Sequence, residues 1–302
     1  MSKKKIKIGL VGYGRFGKKY FKNLKKSVEI NLQYILKKKD QSINGVKVLT
    51  NVKKTIKYPT DGIIIATPPK THFHLCKFFL ERNKPVILEK PATSNMNQLK
   101  KLIKIKNSNL PLLVNHSDLY NPLFIELQKF KKKIGKILFI EINFGKFDYQ
   151  YTLKRGLLPA EDWLPHILAT LTNFLKNELT FKITHKNLIK RRNCFFQELS
   201  LDIFGSKGAN IGKIFFSNLK KNRSLNVIGS NGNLHYDAYN LNNNYVKINN
   251  KVKKIENKTF ISPMEYLLKT FSKHIKNKNK KNDLDVVLGY QKYFDKIKKR
   301  IN

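Results

Sequence analysis

The sequence predicts an α/β chain in two parts. A doubly wound parallel sheet comes first, followed by an α+β domain with a largely antiparallel open sheet. Three observations carry this reading. Short apolar runs alternate with amphipathic segments through the first third of the chain. A glycine-rich turn joins the first apolar run to the first amphipathic one. Beyond residue 120 the apolar runs lengthen and alternate with polar residues.

The elements follow in order. Residues 6–11 form a strand and 15–27 a helix; 32–36 is a second strand. GIIIAT at 62–67 is a fully apolar strand, followed by a helix over 71–82. Residues 85–88 make a strand, 95–106 a helix and 110–115 a further strand. Repetition of strand and helix means a parallel sheet covered on both faces. Near residues 116–122 the pattern changes. Segments 136–147 and 210–218 alternate as strands with one wet face do. The Asn/Lys-rich stretches 242–258 and 276–282 read as exposed loops or hairpin tips. Residues 283–299 have helical spacing. The expected domains are therefore 1–118 and 119–302, with the last helix, about 283–299, available to pack back on the first.

Composition removes several function classes. Of 302 residues, 41% are hydrophobic, enough for a real core. No apolar stretch is long enough to span a membrane. Only Cys76 and Cys194 are present, which excludes a disulfide scaffold and a zinc cluster and suits a reducing, cytoplasmic setting. Both cysteines sit among apolar neighbours and read as core. The net charge of +41 invites a nucleic-acid partner. Yet 54 of the cations are lysines spread along the whole chain, beside abundant Asn and Ile, as an AT-rich coding sequence produces. No nucleic-acid-binding signature accompanies them, so the charge reads as solvated surface.

The turn Gly12-Tyr13-Gly14-Arg15-Phe16-Gly17 is a GxGxxG sequence between a strand and a helix. Gly12 permits the sharp turn, Gly14 lets a diphosphate approach the backbone, and Gly17 lets the helix pack closely. The helix start then offers N–H groups and a positive dipole end to phosphate. These features point to dinucleotide binding. NAD sites usually place a carboxylate about 20 residues on, against the ribose 2′-OH. Here Lys37 and Lys38 stand there, with Asp40 beyond. Together with Arg15 they tilt the choice toward NADP over NAD.

The stretch Ala66-Thr67-Pro68-Pro69-Lys70-Thr71-His72, followed by Glu89-Lys90-Pro91, resembles the Gfo/Idh/MocA family of NAD(P)-dependent oxidoreductases. The glycine turn is also similar to that of glyceraldehyde-3-phosphate dehydrogenase, but Cys194 lies in RRNCFFQE rather than in that enzyme's catalytic motif. The first resemblance implies a two-domain cytoplasmic oxidoreductase. Its substrate would be a sugar, a sugar derivative (nucleotide-linked ones included) or a polyol. It also implies a homo-oligomer, dimer or tetramer. Thr67, Pro68 and His72 would border the nicotinamide channel, with Glu89 beside them. Lys90 would sit at the nicotinamide and stabilise the negative charge that develops on the reacting oxygen.

In the second domain, Asp162-Trp163-Leu164-Pro165-His166 matches the family's Asp-x-x-x-His pattern. A spacing of four puts Asp162 and His166 on one helical face. His166 is the candidate acid/base and Asp162 its orienting partner or a substrate ligand. Asp162 is expected near the N-cap, with Pro165 in the first turn. Leu164 stands where the family commonly has Gly, and no basic residue stands near Leu119. These departures carry the alternative of a catalytically impaired NAD(P)-binding homologue serving as a sensor or assembly partner. Lys154 and Arg155 would suit a nucleotide-linked substrate. No metal site is expected.

Overall fold

A computed structural model describes residues 5–39, 41–43, 45–105, 110–147, 157–176, 178–191, 194–256, 261–278 and 282–301. The chain divides into two compact units. One comprises residues 1–115 and 262–288, the other 116–261 and 289–302.

The first unit is built on six parallel strands. They are β1 (Ile6–Val11), β2 (Ile30–Leu36), β3 (Lys47–Leu49), β4 (Gly62–Ile65), β5 (Val86–Leu88) and β6 (Leu112–Val114). Their order is β3-β2-β1-β4-β5-β6. β1 pairs with β2 on one side and β4 on the other, so the chain reverses its winding there. Ligands of such sheets bind in the crevice at this point, outside the carboxyl ends of the strands. All residues of β4, β5 and β6 are buried, as strands covered on both faces must be. The helices are α1 (Arg15–Lys26), α2 (His72–Leu80) and α3 (Met96–Ile105). α1 turns Tyr20, Phe21 and Leu24 inward and exposes its lysines.

The second domain expected over 119–302 is interrupted, because residues 262–288 belong to the first unit. Local periodicity could not show this; long-range pairing decides it. Asn282 bridges to Leu112, the Asp283 amide donates to Leu112 O at 2.8 Å, and the Asp283 carboxylate accepts from Val114 N at 2.9 Å. The preceding helix α6 (Pro263–Lys276) packs on α1 and closes over Gly62 with Phe271 and Ile275. Ser262 caps it by accepting from Glu265 N at 3.2 Å. A short strand such as β3 carries too few residues for periodicity to reveal.

The second unit opens with α4 (Pro122–Gln128) and holds an eight-stranded sheet. Its strands are β7 (Ile137–Gly145), β8 (Thr180–Arg191), β9 (Cys194–Phe204), β10 (Asn210–Ser217), β11 (Asn222–Gly229), β12 (Gly232–Asp237), β13 (Tyr245–Ile248) and β14 (Lys251–Lys254). All pairings are antiparallel except β7 with β10. The helix α5 (Pro159–Phe174) lies on β7 and β9. Alternate residues Ile140, Ile142, Phe144, Leu199, Leu201 and Ile203 are buried. Burying each such side chain contributes about 1.5–3 kcal/mol. The β13–β14 hairpin turns on Asn249 and Asn250, both with positive φ (48° and 61°), which asparagine tolerates. The last helix, α7 (Leu284–Ile301), starts in the first unit and ends in the second.

Candidate active site

The turn after β1 has the shape its glycines suggested. Gly12 adopts φ +99°, and a Cβ there would lie 2.5 Å from Ala66 O. A Cβ on Gly17 would lie 2.2 Å from Gly12 O, so α1 can approach the turn only without one. Gly14 is different: a Cβ there would meet nothing within 4 Å. Glycine at position 14 therefore serves no internal packing need, and it keeps open the space before α1. The first N–H groups of a helix lack intrahelical partners and bind anions. A dinucleotide diphosphate fits this turn. Tyr13 packs edge-on against Phe21, with ring centroids 5.5 Å apart, and Arg15 lies over Phe16. At the end of β2, Lys37 reaches over the Tyr13 ring at 5.9 Å and donates weakly to Gln41 Oε1 at 3.3 Å. Lys38 is exposed, and Asp40 lies outside the described residues.

His72 begins α2 and is fully enclosed. It therefore presents no surface to a channel, contrary to the sequence expectation. Its Nδ1 lies 2.8 Å from Pro91 O and its Nε2 2.9 Å from Thr67 O. The ring clamps the loop after β4 to the loop after β5. Thr67 Oγ1 accepts from Thr71 at 2.7 Å in the same corner.

Burial lowers the His72 pKa from its ordinary 6.5. The two carbonyls oppose this, and Lys90 adds to it. A neutral ring can donate to only one of the two carbonyls at a time. Because the unfolded chain takes up the proton more readily, the clamp's stability is complete above about pH 6.5 and is lost as pH falls through the folded value. The melting temperature should fall between pH 7 and 5, and a thermal scan of His72→Gln should show a smaller fall. An identical fall in both proteins would remove His72 as its source.

Glu89 follows β5 and is 4% exposed. Its Oε1 accepts from Tyr20 Oη at 2.9 Å and from Asn115 Nδ2 at 2.7 Å. Burial pushes the Glu89 carboxyl up; Asn115, Lys90 and Tyr20 pull it back. Lys90, next in the chain, is only 7% exposed. Tyr20 and Asn115 were not legible as partners, since they lie 69 and 26 residues from Glu89.

In the second unit, α5 starts earlier than the sequence suggested. Leu158 is its N-cap, Pro159 its first residue, and the Glu161 side chain accepts from Leu158 N at 2.8 Å. Asp162 lies in the first turn, its N–H donating to the Leu158 carbonyl at 3.2 Å, while Pro165 is interior. Pro159 is pre-shaped for a first helical position, so it displaces Pro165 from that role. Leu164 is fully buried. His166 is 5% exposed and stacks on Phe144, with centroids 6.3 Å apart and an 11° tilt. His116 stands perpendicular to it at 5.8 Å, and Tyr290 Oη lies 3.2 Å from His116 Nε2.

Arg223 on β11 is a residue that sequence reasoning missed. It donates to Asp118 Oδ2 at 2.6 Å and Ser117 Oγ at 2.7 Å, and lies 4.6 Å over the Phe144 ring. Tyr236 Oη donates to the other Asp118 oxygen at 3.2 Å. Burial alone would lower the Arg223 pKa, but the adjacent Asp118 carboxylate overrides it and raises the value. No local signal could reveal this pair, because 105 residues separate its members.

Cys76 is a core thiol pushed up to about 12 by burial, while Cys194 is half-buried. Lys154 and Arg155 lie outside the described residues. Among the described residues, no cluster of His, Cys, Asp and Glu could hold a metal, and no helix is long and apolar enough to cross a membrane.

Comparison with known proteins agrees with this geometry. The uncharacterized oxidoreductase YdgJ of Escherichia coli K12 is 28% identical over 151 residues, covering 47% of this chain and 44% of that protein. The match thus spans under half the length of that relative. Among solved structures, biliverdin reductase of Synechocystis, in complex with biliverdin and NADP+, has a TM-score of 0.76 at 14% identity, covering 97% of this chain and 98% of its own. Apo scyllo-inositol dehydrogenase of Lactobacillus casei also has a TM-score of 0.76, at 17% identity, covering 99% and 96%. These likenesses establish the fold. Residues 6–116 match the model of the oxidoreductase family with an NAD-binding Rossmann fold.

Proposed function

We propose that the chain is an NAD(P)-dependent dehydrogenase or reductase acting on a CH–OH group of a sugar, sugar derivative or polyol. The open space at Gly14, before α1 and beside two turn glycines that permit no Cβ, carries the reading. The dinucleotide would supply the hydride acceptor or donor. The chain's residues do the rest. The turn and α1 hold the diphosphate. Lys37, Lys38 and Arg15 supply positive charge suited to a 2′-phosphate, which favours NADP over NAD. Lys90 stabilises negative charge on the substrate oxygen. His166, oriented by Asp162, handles the proton. The scyllo-inositol dehydrogenase of the same fold agrees with a polyol substrate. Exposed Leu138 and Ile228 on the second unit's sheet agree with a homo-oligomer.

The test is nicotinamide fluorescence with NADPH and NADH, followed by turnover on a panel of sugars and polyols. Micromolar binding with NADPH preferred, and turnover of at least one panel member, is expected. Binding of neither nucleotide would end the proposal. Binding without turnover would favour the sensor alternative.

A further inference from the structure

We propose that Arg223 and Asp118 set the substrate class: as a charge-compensated pair they take a neutral hydroxylated group of the substrate and turn away an anionic one. This rests on the activity proposed above and deepens it. The pair stands one ring away from the candidate acid/base. The Arg223 guanidinium lies 4.6 Å over the Phe144 ring, and His166 stacks on that same ring. Trp163 completes the group, its ring centroid 5.3 Å from Phe144 and 5.8 Å from His166. All of these residues belong to the second unit.

The hydrogen bonds show what the pair has left to offer. Arg223 donates to Asp118 Oδ2 and to Ser117 Oγ, and both bonds leave from Nη2. Its Nε is buried without a partner, while 15% of the side chain remains exposed. Among the described residues, the Nη1 donors are therefore left for a ligand. The Ser117 hydroxyl accepts from Arg223 and keeps its own hydrogen to donate. Donors are thus in surplus, but positive charge is not. Asp118 is nearly buried and lies 2.6 Å from Arg223, where it cancels that charge. Tyr236 Oη donates to its other oxygen at 3.2 Å, which keeps the carboxylate from swinging aside. An anionic group arriving here meets a buried carboxylate whose cation is already taken, and like charges in a poorly solvated site repel. A hydroxyl oxygen accepts from Nη1 or from Ser117 and brings no charge to place. The same pair therefore attracts one class and rejects the other.

Asp118→Asn is the deciding variant, because asparagine keeps the shape and an accepting oxygen and removes only the charge. The probes are sugar pairs that differ only in a hydroxymethyl group or a carboxylate: glucose with glucuronate, and galactose with galacturonate. Dissociation constants come from ligand-observed NMR with and without NADP, and kcat and KM from turnover. Wild type should favour the neutral member of a pair at least about tenfold. In Asp118→Asn the freed guanidinium should recruit the carboxylate, so that this preference falls at least about tenfold. Ser117→Ala removes a donor and leaves the ion pair. It should weaken binding of the neutral members, or raise their KM, about three- to tenfold with kcat within about threefold, and it serves if Asp118→Asn fails to fold. A pair that only holds the fold together would lower the melting temperatures and leave preference, affinity and KM unmoved, and that result would overturn the inference. So would a wild type that prefers the carboxylate or binds no neutral member. The expected shifts in binding without any turnover would instead count against the proposed oxidoreductase activity, and the role of the pair would stand.

Discussion

Lys90→Ala should lower kcat by about 10²–10³-fold, the usual loss when a preorganised charge-stabilising donor is removed. The dissociation constant for the dinucleotide should stay within about threefold of wild type, because uniform binding is not what this ammonium supplies. Lys90 follows β5, at the carboxyl end of a parallel sheet where this fold binds ligands. The glycine turn lies at the end of a different strand, β1. Stopped-flow turnover with a substrate found in the panel, alongside fluorescence titration, separates the two quantities. A variant with wild-type kcat would mean that the oxygen is stabilised by another group. Lys90→Arg should recover little, since a planar, delocalised guanidinium places its charge elsewhere than a compact ammonium does.

The second large effect comes from adding one carbon atom at two positions three residues apart. Gly17→Ala puts a methyl group 2.2 Å from Gly12 O, so α1 must move off the turn. Overpacking of this kind costs about 1–3 kcal/mol, and the melting temperature should fall by several degrees. Gly14→Ala puts the same methyl group where no protein atom lies within 4 Å. Its cost to the fold is limited to a weaker N-cap, about 0.5–1 kcal/mol. It occupies the space a diphosphate needs, so cofactor affinity should drop at least about 30-fold, or 2 kcal/mol. Thermal melts and fluorescence titrations on both variants check this. Wild-type affinity in a folded Gly14→Ala protein would mean that phosphate rests elsewhere.

Much of the first unit was legible because its signals are local. A strand buried on both faces must be apolar throughout, as GIIIAT is. A strand that turns sharply into a helix needs glycines at fixed offsets, as Gly12, Gly14 and Gly17 supply. The ends of β5 and β6 could likewise be found from their apolar runs, which placed Glu89 and Lys90 at a strand terminus. The start of α5 misled, because two prolines competed for the first helical turn and only the Glu161 bond to Leu158 N chose Pro159.

By itself, then, the sequence determined the repeated strand–helix units, the phosphate turn and the spacing of Asp162 and His166, since each depends on backbone preferences over a few residues. Only the tertiary structure decided that residues 262–288 complete the first unit, that His72 is a clamp and not a channel wall, and that Glu89 meets Tyr20 and Asn115. It alone set Arg223 against Asp118. Apart from His72 with Thr67, five positions apart, those pairings join residues at least 19 positions apart. Burial, not propensity, brings them together, and burial is a property of the packed chain.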